Sequence, residues 1–161
     1  MSSEETLEEQ TVYIKSIVFD LKGEEYALPV EYVGSIERMM HITRVPQTAS
    51  FVKGVLNLRG VVTPIVDLRD RFGFDAVTET DSTRIIILEV NGLEVGLIVD
   101  AAYDVIDIPK EAIEPPPEVI GSVQVDYIHG VAKLDERLLI LLDMEKVLNA
   151  KGMSDLYQKQ S

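Results

Sequence analysis

His41 and His129 are the two histidines of the chain and there is no cysteine, so proton shuttling, nucleophilic attack and metal ligation have few side chains to draw on. An imidazole titrates near neutral pH and ligates metals readily. Neither histidine stands at a metal-ligand spacing from a second ligand, and each falls at a loop or a strand edge. Without cysteine, disulfide frameworks and zinc-thiolate sites are excluded. Asp67 and Asp70 could share a cation, but 28 acidic residues make such pairs common on any surface. The chain has no Walker phosphate loop, no dinucleotide-binding glycine fingerprint and no nucleophile elbow. Titratable groups without a constellation predict a protein that binds rather than catalyses, with no cofactor and no metal.

Charge narrows the kind of partner. The 161 residues carry a formal −13, a field that repels a phosphate backbone and argues against nucleic acid. The charge is uneven: residues 1–10 carry −4, residues 11–74 carry +1, residues 75–129 carry −10, and the rest balance. A near-neutral, arginine-bearing first half and an acidic middle offer two different faces, as a protein docking onto two partners requires; a merely solvated acidic surface is the plainer alternative. The opening MSSEETLEEQ has neither a basic nor an apolar segment, so residues 1–11 are expected to be a solvated acidic tail rather than a secretory signal. No apolar run approaches the roughly 20 residues needed to span a bilayer. A soluble, cytoplasmic protein is expected, with no direct membrane insertion.

The elements that must present a binding surface are written twice. Phe51–Phe72 (FVKGVLNLRGVVTPIVDLRDRF), moved 76 places, falls on YIHGVAKLDERLLILLDMEKVL, matching Gly54 with Gly130, Val55 with Val131, Leu58 with Leu134 and Asp67 with Asp143. Ile17–Ile36, moved 69 places, matches Gly23 with Gly92, Glu25 with Glu94, Leu28 with Leu97 and Val30 with Val99. The difference of seven residues falls between Ile106 and Asp126, where Pro115, Pro116 and Pro117 mark a stiff connector.

Each copy reads as a hairpin, a third strand and a second hairpin. Asn91-Gly92 and Lys22-Gly23 are turns of the first kind, since a tight hairpin needs positive φ. Third strands are predicted near Tyr32–Met39 and Ala101–Ile108, and the second hairpins turn at Arg59-Gly60 and Asp135-Glu136. Asp67 and Asp143 then precede short helical patterns as N-caps. The prediction is mostly β: two pseudo-repeated five-stranded SH3-like β-barrels with short helices. The first barrel is placed at about residues 12–80, the second at about 81–148, and a C-terminal helix or tail at 149–161.

The segment FVKGVLNLRGVVTPIVDLRDRFG, Phe51 to Gly73, closely resembles the signature of CheW-like chemotaxis coupling proteins. FDLKGEEYALPVEYVGSIERM, ILEVNGLEVGLIVDAAYDVIDIP and YIHGVAKLDERLLILLDMEKVL follow in that family's order, so the resemblance spans roughly residues 13–150. It implies two SH3-like barrels with a shared apolar core and no catalysis. The implied role is a cytoplasmic adaptor, recruited to membrane-associated arrays, that joins the cytoplasmic tip of methyl-accepting chemotaxis receptors to the regulatory domain of a CheA-type histidine kinase. At this length the stand-alone form is expected.

By the same resemblance, receptor binding would use Val33, Gly54, Arg59, Gly96 and Val105 in a groove between the barrels. Kinase binding would use Val30, Val45 and Leu56 on an edge of the first barrel. Apolar residues suit the stripe of a helix, and Arg59 either presents donors to a receptor carboxylate or braces the barrel. The valines and Leu56 could equally belong to the core. Related chains often carry an acid before the isoleucine that is Ile36, where this one has Ser35, and Glu37 is expected on the opposite strand face. Three alternatives stay open: a paralogue serving another chemosensory array such as surface motility, a cation-binding enzyme subunit built on the acidic middle, and a ligand-binding barrel.

Overall fold

The computed structural model describes residues 12–75, 78–117 and 125–148; the predicted acidic tail and C-terminal helix lie outside the described residues. Eleven strands follow in order: β1 (Tyr13–Leu21), β2 (Glu24–Pro29), β3 (Val33–Arg38), β4 (Val52–Leu58), β5 (Val61–Asp67), β6 (Arg84–Val90), β7 (Leu93–Val99), β8 (Ala101–Pro109), β9 (Ile113–Glu114), β10 (Ile128–Leu134) and β11 (Arg137–Leu142). Helix α1 (Leu68–Arg71) follows β5 and α2 (Met144–Leu148) follows β11. All four tight turns place a left-handed residue first, Lys22, Arg59, Asn91 and Asp135 with φ of 52–54°. This is the twist that a two-residue turn needs to join right-handed strands without splaying them. Asp67 Oδ1 accepts from Asp70 N–H at 3.3 Å and Asp143 Oδ1 from Lys146 N–H at 3.3 Å, so both aspartates cap helix starts as their positions predict.

The strands form two sheets. Sheet A runs β8-β1-β2-β11-β10-β9 and sheet B runs β3-β6-β7-β5-β4. The chain leaves sheet A at β8 on one edge and re-enters at β9 on the other after a single 3₁₀ turn, Lys110–Ala112. Chain continuity thus joins the two edges, as an SH3-like barrel requires.

The sheets do not follow the two sequential halves. Residues 33–99 supply all of sheet B, while β1 and β2 pair with β8 and β11 of the second copy to make sheet A. The division into a barrel over residues 12–80 and another over 81–148 is corrected accordingly: each copy's first hairpin is exchanged. The register shows why this is equally good pairing. Ile17 faces Val105 as Ile86 faces Ile36, and Leu141 faces Ala27 as Ile65 faces Gly96; each pair maps onto the other by the 69- and 76-residue shifts. A hairpin that fits its own copy also fits the other, so self-similarity leaves the partner to be decided by connection lengths and the shared core.

Three apolar clusters result. Val18, Ala27, Ile108, Ala132, Leu139 and Leu141 fill sheet A, and Leu56, Ile65, Ile85, Ile87 and Ile98 fill sheet B. The largest cluster lies between the sheets and draws on both, including Phe19, Tyr26, Leu88, Leu97, Ile140 and Met144. An aromatic series crosses this seam: Phe19 stacks on Tyr26 at 5.7 Å between centroids, Tyr26 meets Phe72 at 6.0 Å, and Phe72 stacks on Tyr127 at 5.3 Å. Burying rings of this size makes the two sheets one folding unit rather than two beads.

Candidate functional site

The residues singled out for binding separate into three groups. Arg59 and Val105 are exposed, Val105 at 52% on edge strand β8. Val30, Val33 and Val45 are half-buried and pack against the seam cluster. Leu56, Gly54 and Gly96 are buried. Leu56, 4% exposed, faces the interior of sheet B among Ile65, Ile85, Ile87 and Ile98, the core position open to it beside the kinase-facing one. An alternating strand sends every second residue inward, and on β4 the inward set includes Leu56.

The two glycines shape strands from within. Gly54, at φ 144°, lies where an added Cβ would sit 2.1 Å from the Thr43 carbonyl oxygen. The missing side chain lets Thr43 and Val55 exchange backbone hydrogen bonds of 3.0 and 2.8 Å, which cover the β4 edge. Gly96 points into the cluster of sheet B, with Ile65 Cδ1 2.6 Å and Ile85 Cγ2 2.9 Å from an ideal Cβ. Both shape their strands through the backbone they permit.

Arg59 sits at the tip of the β4–β5 hairpin, where Asn57 Oδ1 accepts the Gly60 N–H at 3.0 Å. Among the described residues no carboxylate pairs with its guanidinium. Ser35 and Glu37 share one face of β3, and the Ser35 hydroxyl donates to Glu37 Oε1 at 3.4 Å. This corrects the expected opposite placement of Glu37, because positions two apart on a strand point the same way. Ile36, 39% exposed, lies on the other face of β3, at the position equivalent to Val105. Val61 and Val62 are also exposed, next to Arg59.

Charged groups tie elements together at three places, two of them between the sheets and one within sheet A. The Asp100 carboxylate accepts from Arg69 Nε at 2.8 Å, from Arg69 Nη2 at 2.5 Å and from the Lys22 backbone N–H at 2.9 Å; the pair raises the Arg69 pKa. Arg71 lies over the rings of Phe51 and Tyr127, 4.9 and 4.7 Å from their centroids, and donates to the Val147 carbonyl at 2.7 Å and the Tyr127 hydroxyl at 2.6 Å. On sheet A, Arg137 donates to Glu25 at 3.2 and 2.9 Å and to Asp104 at 3.3 Å, while the Tyr103 hydroxyl donates to Glu25 at 2.5 Å. The Arg137 and Tyr103 hydrogen bonds hold the Glu25 carboxyl below its ordinary range, and burial with its two acidic neighbours pushes the Tyr103 phenol up.

These groups are engaged in ion pairs and hydrogen bonds within the fold. Asp70, half of the acid pair considered for a cation, is taken up by Lys53 at 3.5 Å, and no group of three or more potential metal ligands occurs among the described residues. His41 is exposed between β3 and β4, and His129 is exposed on β10.

The CheW-like domain family model matches residues 15–152, the greater part of the chain. The chain belongs to the CheW-like family. It is 42% identical over 147 residues to the chemotaxis protein CheW of Bacillus subtilis, covering 91% of this chain and 94% of that one. With the chemotaxis protein CheW of Klebsiella aerogenes it is 38% identical over 145 residues, covering 90% and 87%. The crystal structure of the scaffolding protein TtCheW from Thermoanaerobacter tengcongensis superposes with a TM-score of 0.79 at 36% identity, covering 88% of this chain and 91% of the other. The two-sheet architecture is therefore that of a CheW-like scaffold, and family members couple receptors to the CheA kinase in chemotaxis.

Within this CheW-like chain, sequence reasoning missed Ile36 and the Arg69–Asp100 pair. The alternation in VGSIER carried a signal for Ile36, whose outward position follows from its neighbours. Nothing local marks Arg69 and Asp100 as partners, 31 residues apart, because their meeting depends on the exchange of hairpins.

Proposed function

We propose that this protein is an adaptor without catalysis of its own, bridging the cytoplasmic tip of methyl-accepting chemoreceptors and the regulatory domain of a CheA-type histidine kinase. The observation that carries this reading is the match to the CheW-like family along nearly the whole two-sheet unit. In this reading Val33, Arg59 and Val105 meet the apolar and acidic side chains of a receptor helix, while Gly54 and Gly96 keep β4 and β7 in shape. Val30 and Val45 lie toward the kinase. No helix among the described residues is long and apolar enough to cross a membrane, and attachment to a membrane-associated array comes through the receptor. Coupling requires that the adaptor bind one arrangement of its partners better than another.

The test is a titration of the purified protein against a kinase regulatory domain and, separately, a receptor cytoplasmic fragment, followed by kinase autophosphorylation in the three-component mixture. Binding to both with a receptor-dependent change in phosphorylation supports the reading. Binding to neither overturns it.

A further inference from the structure

The chain passes between the sheets at two places: through the 3₁₀ turn Val30–Tyr32, from β2 to β3, and through the single residue Asp100, from β7 to β8. The repeat makes these crossovers equivalent, with Glu31 at the place of Asp100 and Glu145 at the place of Arg69. They are built differently. At Asp100 the bidentate Arg69 pair and the Lys22 N–H fix the carboxylate, and the Asp100 N–H donates to the Asp20 carbonyl at 3.0 Å. Three segments are thereby tied at one point: the β1–β2 turn of sheet A, α1 at the end of sheet B, and the crossover itself. At the other crossover two acids replace the pair. Glu31 makes no ion pair among the described residues, and clefts of about 300 and 360 Å³ border the turn, one lined by Pro29, Tyr32 and Met144 and one by Tyr13 and Val30.

We propose that the Arg69–Asp100 pair holds one crossover fixed while the Val30–Tyr32 turn, which has no such pair, is left to adjust, making Arg69 and Asp100 positioning residues for coupling between the two partners. This rests on the adaptor reading above. Val30 itself lies in the loose turn, and Asp100 leads directly into β8, which carries Val105. A partner seated at Val30 therefore shifts an edge whose other end is held, and a motion with one fixed point is transmitted rather than dissipated. Coupling of this kind needs an element with two arrangements that both sites bias. The pair is part-buried and bidentate, a geometry that does add to stability, so the melting temperature of each variant is read beside its coupling.

The experiment uses the full chain with Arg69→Gln, Asp100→Asn and the charge exchange Arg69→Asp with Asp100→Arg. Each is titrated against the kinase regulatory domain alone, the receptor cytoplasmic fragment alone, and the fragment with saturating kinase domain, with autophosphorylation measured in the full mixture. Arg69→Gln is expected to leave each separate affinity within about twofold and to reduce the receptor-dependent change in autophosphorylation at least about fivefold, the lower end of ordinary allosteric coupling. The charge exchange restores the ion pair but not the acceptor for the Lys22 N–H, and is expected to recover part of that change. Unaltered coupling in Arg69→Gln, or parallel loss of both separate affinities in a variant with wild-type circular dichroism, overturns the proposal. So does failure of a folded charge-exchange variant to recover. A wild-type protein that binds neither partner instead overturns the adaptor reading itself.

Discussion

Gly96 lies directly opposite Ile65 in the parallel pairing of β7 with β5, at the position where Ala27 lies opposite Leu141 in sheet A. The two interiors reach similar fillings by different divisions of volume. Sheet A uses Ala27 and Ala132 beside Val18, while sheet B uses Gly96 with the larger Leu56 and Ile87 at the matching places.

Gly96→Ala is therefore expected to overpack sheet B. The new Cβ meets the tip of Ile65, which can turn aside, and Cγ2 of Ile85, which is held by its branch point. A loss of about 1–3 kcal/mol is expected by urea unfolding, the usual cost of one extra methyl in a filled core. Gly54→Ala should cost more, because its obstacle is the Thr43 carbonyl and its φ disfavours any side chain. Equal stability of the Gly54→Ala variant and the wild type would contradict the close approach of Thr43.

Leu56 and Val105 separate fold from interface. Leu56→Ala removes a buried side chain and is expected to lower stability by about 2–5 kcal/mol, reducing binding to both partners only as far as it unfolds the protein. Val105→Ala removes a half-exposed one and should leave the melting temperature nearly unchanged while weakening the receptor fragment selectively. Receptor affinity is measured at a temperature where both variants are folded, and equal affinity of Val105→Ala and wild type there removes Val105 from the interface.

Glu25 makes stability depend on acid. Its pKa is held below the ordinary glutamate value in the fold by the hydrogen bonds from Arg137 and Tyr103. A carboxylate with a depressed folded pKa contributes stability that is complete above its unfolded value and fades as pH falls through the folded one. Wild type should thus lose stability relative to Glu25→Gln as the pH falls from the ordinary glutamate range through the lowered folded pKa, with no growth of the difference at higher pH. Urea midpoints across the range test this, and a difference that does not change with pH contradicts the ionic contribution.

The repeat, the hairpin turns and the capped helix starts were legible because each is a local signal: Asn91-Gly92 announces its own φ angles, and Asp67 stands three residues before the amide it caps. The partners of the strands were not legible. Ile17 fits Val105 and would fit Ile36 as well by the shift that relates the copies, so no property of β1 says which β-strand it joins. The same ambiguity hid the Asp100 crossover and left Leu56 open between core and surface. Inward and outward on β4 are separated by one residue, and NLRG gives little alternation to set the phase.

Arg59 allows fold and binding to be pulled apart most cleanly. Its φ of 53° is a conformation that costs a side-chain-bearing residue about 1 kcal/mol relative to glycine, and its guanidinium pairs with no carboxylate among the described residues. Arg59→Gly is therefore expected to keep or slightly raise the melting temperature, since it relieves the turn and removes no ion pair. If the free guanidinium is presented to an acidic side chain on the receptor helix, the same variant should weaken receptor binding and leave the kinase regulatory domain bound as before. Arg59→Lys keeps the charge but not the forked geometry and should fall between the two. Calorimetric titration with each partner gives the ordering: wild type, Lys, Gly for the receptor fragment, and no ordering for the kinase domain. A lowered melting temperature in Arg59→Gly would mean that the arginine braces the barrel instead, and equal receptor affinity in all three would remove it from the interface.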